Sequence, residues 1–292
     1  MPEPRHLAGA TRVGLTTDVL GEGPVWDDRE QCVYSVDIRS HRVYRHDGPD
    51  LSQRTVIHEA DRAVTCVLLA QDGGLLIVER DRLVTRSVDG QVRIGWTLAE
   101  ALGGDPQRRF NDGVIDPQGR LLIGTLHEGD VENQELLLRM DPAGHIETIA
   151  RSLTLSNGLG FDATGQRLFH TDTLRNRVIV YDYAAPTPVP VRSFTVEPGY
   201  PDGLAVDAEG YLWIAVWGGS EVRRYSPTGV LDARLPVPAR HVTAATFAGE
   251  ELFITTATEG LDDPASADGG LYCAHVGVPG GTNHRWAGPT DA

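Results

Sequence analysis

Four oxygen-bearing side chains recur at one interval along the chain. Glu22 stands five positions before Asp27, Asn111 five before Asp116, Asn157 five before Asp162 and Asp202 five before Asp207, and the four are 89, 46 and 45 residues apart. Two carboxylates and two amide carbonyls are hard donors that suit calcium, magnesium or manganese, and so carboxylate-poor a set also tolerates zinc. Taken singly, Asn111-Asp112-Gly113, Asn157-Gly158 and Asp202-Gly203 are also ordinary turn sequences. A turn requirement explains neither Glu22, which precedes Gly23-Pro24, nor the Thr65 and Val242-Thr243 found at the same register elsewhere. The shared register points to one divalent-cation site.

Residues so far apart converge only if a repeating architecture gathers them. Short apolar runs beginning at Val33, Leu75, Leu121, Leu168, Leu212 and Leu252 recur 42, 46, 47, 44 and 40 residues apart, the period of a β-propeller blade. Three of them follow an Asp-x-x-Gly turn, at Asp116–Gly119, Asp162–Gly165 and Asp207–Gly210. The pattern predicts an all-β, six-bladed β-propeller forming a single domain over residues 1–292, with an ordered core over about 11–278 and a loose tail after Val278. The last blade is one strand short, and the alternating stretch Thr11 to Val19 is expected to complete it and close the ring. One helical signal stands out, Thr97 to Gly103, where Thr97 is a candidate cap and Gly103 a stop.

Composition narrows the chemistry. The chain has 26 basic against 41 acidic residues, a net charge of −15, and no lysine, so lysine Schiff-base and P-loop chemistry are absent. Such a balance argues against nucleic acid or an anionic membrane as partner, since backbone phosphates demand a basic footprint. The first residues lack a signal-peptide core, and the longest apolar run, Val64 to Ala70, is too short to span a bilayer. A cytoplasmic protein is expected, monomeric or weakly dimeric, acting on a small molecule. Cys32, Cys66 and Cys273 show no zinc or disulfide spacing and read as buried thiols.

Gly21-Glu22-Gly-Pro-Val-Trp26, Arg109-Phe-Asn111-Asp-Gly113, Gly124-Thr125, Ser156-Asn157-Gly-Leu159 and Pro201-Asp202-Gly203 resemble, in order and spacing, the motif series of the gluconolactonase/regucalcin (senescence marker protein) family. The resemblance covers about residues 13 to 278. It implies a six-bladed propeller that binds one divalent cation (Ca, Zn, Mg or Mn) near the channel mouth and hydrolyses sugar lactones. It also implies Glu22, Asn157 and Asp202 as metal ligands, with Arg109 and Asn111 against substrate. The chain departs from the family pattern at Leu126, where methionine is common, at Ala244, where serine is common, and at Glu135-Leu-Leu-Leu-Arg139. The loop His127-Glu128-Gly129-Asp130 is a candidate specificity feature.

A metal-activated water needs a base, and Asp202 is the first choice because a carboxylate bound through one oxygen keeps its second free; Glu22 is the alternative. Arg109 would orient substrate or hold the developing oxyanion. If the first strand of each blade starts at the mouth, the second ends there, which brings Asp37 to His41, Glu79-Arg80, His127-Glu128, Asp172 to Arg175, Trp217 and Thr256 to the pocket. Among these His127, Glu128 and Asp172 are candidate substrate contacts, and His127 and Asp172 candidates for proton transfer. Trp26 and Trp213 read as packing between blades. No GxSxG elbow supports a serine triad. Two alternatives share the same ring: a propeller enzyme of specialised biosynthesis, performing phosphotriester hydrolysis, cyclisation or dehydration, and a non-catalytic propeller that binds a metal or ligand.

Overall fold

The computed structural model describes residues 3–48, 50–129 and 133–290. Among them β1 (Arg5–His6) and β2 (Thr11–Val13) precede a series of antiparallel meanders. The first sheet contains β3 (Gly21–Asp27), β4 (Cys32–Asp37), β5 (Arg42–Asp47) and β6 (Gln53–Glu59); the second β7 (Val64–Leu69), β8 (Leu75–Glu79), β9 (Arg82–Arg86) and β10 (Val92–Thr97). The third contains β11 (Arg108–Ile115), β12 (Leu121–His127), β13 (Glu135–Met140) and β14 (Ile146–Leu153); the fourth β15 (Ser156–Phe161), β16 (Arg167–Asp172), β17 (Arg177–Asp182) and β18 (Val189–Thr195). The chain continues as β19 (Tyr200–Val206), β20 (Leu212–Trp217), β21 (Glu221–Tyr225), β22 (Leu231–Pro236), β23 (His241–Ala248), β24 (Glu251–Ala257) and β25 (Leu271–His275).

These last seven strands run together with β1 and β2 in one nine-stranded sheet. Four blades therefore stand as separate four-stranded sheets, whereas six separate ones were expected. The reason is local: β20 and β23 meet through a single residue pair, Trp217 with His241, which links a five-stranded portion, β1 with β19 to β22, to a four-stranded one, β23 to β25 with β2. The first strands β3, β7, β11, β15, β19 and β23 are neighbours in that order, and β23 returns to β3, so the sheets are arranged in a ring.

Closure by the N-terminus is as expected, though shorter. Thr11–Val13 alone forms the strand, with Thr11 opposite Cys273 and Val13 opposite Leu271. Asp-x-x-Gly turns form as read: Gly119, Gly165 and Gly210 have φ of +78°, +67° and +81°, and Asp116, Asp162 and Asp207 each accept backbone N–H groups through Oδ1. The helical signal becomes one 3-10 turn, Ala99–Leu102, stopped by left-handed Gly103; Leu98, not Thr97, precedes it, without a side-chain cap.

Burial falls off radially. All six residues of β4 are buried, whereas β10 and β18 are mostly exposed. Second strands are covered on both faces because neighbouring sheets pack against each, and the apolar core is accordingly divided into layers between sheets. Val36 and Val43 meet Val64 and Ile77, while Phe169 and Val178 meet Leu212 and Ile214. Trp213 lies in one such layer. Trp26 and Val13 border the layer of Val33, Phe253 and Leu271, where the ring closes.

The segment after Val278 is not a loose tail. It crosses the far end of the channel, where Gly281 N–H donates to Val206 O (2.9 Å), Trp286 N–H to Leu69 O (2.8 Å) and Ala287 N–H to Gly119 O (2.9 Å). Trp286 is fully buried, edge-on to Trp96, and Arg285 pairs with Asp27. Gly, Pro, Thr and Asn in this stretch look like a flexible terminus in sequence, but their backbone groups are satisfied by strands far away in the chain. Cys32 and Cys66 are buried and free, and Cys273 is free and half-buried. Among the described residues no helix is long and apolar enough to cross a membrane.

Candidate functional site

All six first strands break register at the same height. The shift lies between Glu22 and Val25, Val64 and Cys66, Phe110 and Gly113, Ser156 and Leu159, Pro201 and Leu204, and Val242 and Ala244. A bulge puts extra residues opposite one partner and re-aims their side chains, here toward the axis of the ring. The dipeptides that resemble turns are therefore bulged strand, and their glycines answer to close approach: a Cβ on Gly158 would lie 2.5 Å from Asp202 O, and one on Gly203 2.5 Å from the Ala244 Cβ. Two registers offer nothing to the axis, because Thr65 donates to Val78 O (3.4 Å) and Thr243 to Gly21 O (2.6 Å).

Of the remaining four, Asn111 and Asn157 are joined in a hydrogen-bonded chain. Arg109 Nη1 donates to Asn111 Oδ1 (2.7 Å), Asn111 Nδ2 to Asn157 Oδ1 (3.2 Å), Asn157 Nδ2 to Thr173 Oγ1 (3.3 Å), and Thr173 Oγ1 to Pro201 O (2.8 Å). Arg109, Asn111, Asn157, Thr173 and Asp202 are buried, while Glu22 and Asp112 are half-buried. Among the described residues Asp202 Oδ1 has no hydrogen-bond partner, and it is buried.

In the sequence Asp112 is part of a turn dipeptide and of the Arg109 to Gly113 motif, with no role of its own. It shares the bulge with Asn111, and its charge is felt at both Glu22 and Asp202; the signal available was two consecutive polar residues where a strand faces the axis. Burial pushes the Asp112 carboxyl up to about 6. Glu22 is raised by burial and then by Asp112, and Asp202 is raised well above the carboxylate range by burial, then by Glu22 and Asp112. Burial also lowers the Arg109 guanidinium to about 10, against the opposing pull of Glu128.

A cation would relieve the repulsion that Glu22 and Asp112 exert at Asp202 and give its orphaned buried oxygen a partner. Among the described residues no group of three or more His, Cys, Asp or Glu side chains is arranged to hold a metal. A cation here would rest on the two carboxylates Glu22 and Asp202 with amide oxygen from Asn157.

Above this cluster the mouth is charged. Glu128 meets Arg39 (3.2 Å), Arg80 (3.3 Å) and Arg109 (3.5 Å), and Arg39 also pairs with Glu259 (2.6 Å). Trp217 stacks on His241 with ring centroids 4.0 Å apart. His127 is held in its own loop, Nε2 to Asp105 (3.2 Å) and Nδ1 against Gly129. Asp172 turns away from the cluster: it accepts from Thr154 N and Oγ1 and pairs with Arg175 and Arg177. Burial alone would raise its carboxyl, but the bonds from Thr154 and Arg177 bring it below the ordinary value. Asp130, the end of the expected specificity loop, lies outside the described residues. Ser156 does meet a histidine, His170 Nε2 at 2.7 Å, but both are fully buried and face no space for a substrate.

Residues 20–258 match the family model described as the SMP-30/gluconolactonase/LRE-like region. The chain belongs to this family. Within it, the chain is 34% identical to the pentonolactonase XacC of Haloferax volcanii, over 94% of this chain and 97% of that one. It is 34% identical to a 6-deoxy-6-sulfogluconolactonase of Pseudomonas putida, over 92% and 96%. Among solved structures, the calcium-binding protein regucalcin of Agrobacterium tumefaciens is similar with a TM-score of 0.87 at 26% identity, covering 98% of this chain and 99% of that one.

Proposed function

We propose that the chain hydrolyses lactones of sugars or related small cyclic esters, with one divalent cation held by Glu22, Asn157 and Asp202. The observation that carries the reading is the unpartnered Asp202 Oδ1 beside Glu22 and Asp112, whose charges act on the Asp202 carboxyl. The lactonase names of the relatives support the substrate class. On this reading the propeller has six blades, the nine-stranded sheet counting as two, and works in the cytoplasm as a monomer or weak dimer.

A bound divalent cation supplies acidity to water and polarises a carbonyl. The chain's own residues do the rest. Asp202 takes a proton from the attacking water, whose oxygen adds to the lactone carbonyl carbon; the ring C–O bond then breaks, and the freed alkoxide takes up a proton to give the hydroxy acid. Arg109, whose Nε faces Glu128 at 3.5 Å without a hydrogen bond, would hold the carbonyl oxygen as it gains charge. Asn111 is hydrogen-bonded to Arg109 on one side and to Asn157 on the other.

The test is a panel of five- and six-membered sugar lactones offered to protein stripped with chelator and reloaded with Ca, Mg, Mn or Zn. Turnover that disappears on stripping and returns on reloading is expected. A chain that binds cation at these residues yet opens none of the lactones overturns the reading in favour of a binding propeller or another enzyme.

A further inference from the structure

On the outer flank of the third and fourth sheets, away from the channel, β14, β17 and β18 enclose an open cleft of about 560 Å³. Four arginines line it, Arg151, Arg175, Arg177 and Arg192, and among the described residues no acidic side chain does. This is a sharp local reversal in a chain of net charge −15. Counter-ions account for little of it. Asp172, buried beneath the cleft, pairs with both Arg175 (3.1 Å) and Arg177 (2.7 Å), one carboxylate against two guanidiniums. Arg151 donates to the neutral Thr148 Oγ1 (3.1 Å) and Arg192 to the backbone carbonyl of Pro227. Among the described residues, Arg151 and Arg192 therefore have no carboxylate partner, and Arg175 and Arg177 share a single one.

The walls between the arginines are apolar: Ile149, Leu153, Ile179 and Pro190. A concavity of this volume with an apolar body and a few convergent polar groups suits a small molecule. Guanidinium forks select phosphate or carboxylate oxygens, which they can grip through two parallel bonds. We propose that this cleft is a second ligand site, separate from the channel, that binds a small organic anion carrying a phosphate or carboxylate group. The site stands whether or not the channel opens lactones, because it shares no side chain with the carboxylate cluster.

Arg175 lies on the 3-10 turn that carries Thr173, a partner of Asn157, so the test uses the two exposed arginines on β14 and β18 instead. Calorimetric titration of the full chain with glucose 6-phosphate, glucuronate and glucose compares phosphate, carboxylate and neutral forms of one ring. The Arg151→Ala/Arg192→Ala double variant, checked for an unchanged melting temperature, is titrated alongside. At least one anion is expected to bind the native chain tenfold or more tightly than glucose, more weakly at high salt, with that preference lost in the double variant; the tighter anion assigns the group recognised. Equal affinity for the anions in native and double-variant protein, or no preference over glucose in the native chain, overturns the proposal.

Discussion

Asn111 donates its Nδ2 to Asn157 Oδ1 across 3.2 Å although the two are 46 positions apart in the chain. One repeat of the ring separates them, and the bond is the visible sign that equivalent positions on successive inner strands face one point. The same geometry brings the charges of Glu22 and Asp112 to bear on Asp202.

Asp202→Asn keeps an oxygen donor while removing the charge and the proton acceptor. Cation affinity measured by calorimetry is expected to survive to a large extent, while kcat/KM on the best lactone falls by about 10²–10⁴, the usual contribution of a positioned base. Arg109→Ala is expected to raise KM or lower kcat/KM with cation occupancy unchanged. A metal-loaded Asp202→Asn enzyme working at the native rate would pass the role of base to Glu22.

Removal of residues 1–19 takes away Thr11–Val13 and leaves the edge of β25 unpaired. The shortened chain is expected to be insoluble or to melt lower by about 10 °C or more, since losing a closing strand costs several kcal/mol in a domain of this size. An unchanged melting temperature would show that closure does not need the N-terminus.

Trp286→Ala empties a fully buried indole site packed among Leu76, Phe110 and Leu121. The expected loss is about 3–5 kcal/mol by denaturant titration, typical for a buried aromatic cut to alanine. Trp286→Phe should recover much of it. A negligible loss would mean that the terminal segment rests on the ring without supporting it.

His170 ties part of the stability to pH. Burial holds its imidazole neutral down to about 4, from an ordinary value of 6.5. Between those pH values the unfolded chain binds a proton that the folded chain refuses, so this contribution is present above about 6.5 and is lost as pH falls toward 4. It is of order 3 kcal/mol. In His170→Gln the term is absent, and the stability gap between native and variant chains should shrink from pH 7 to pH 4; a constant gap would contradict the buried neutral imidazole.

The period of the apolar runs and the polar register at Glu22, Asn111, Asn157 and Asp202 were legible in the sequence because a repeat imposes the same side-chain direction at each turn of the ring. Closure by Thr11–Val13 was legible for a related reason, since a blade one strand short must find its partner at the other end of the chain. Direction and partnership within a repeat were not legible. Asp112 joins the cluster because a bulge turns two consecutive residues to the axis, and His127 and Asp172 are claimed by Asp105 and by Thr154, Arg175 and Arg177. The fusion of the last two sheets through Trp217 and His241, and the terminal segment seated under Trp286, likewise depend on groups far off in sequence. Local pattern sets which face a residue occupies; only the folded ring decides which neighbour satisfies its hydrogen bonds and charge.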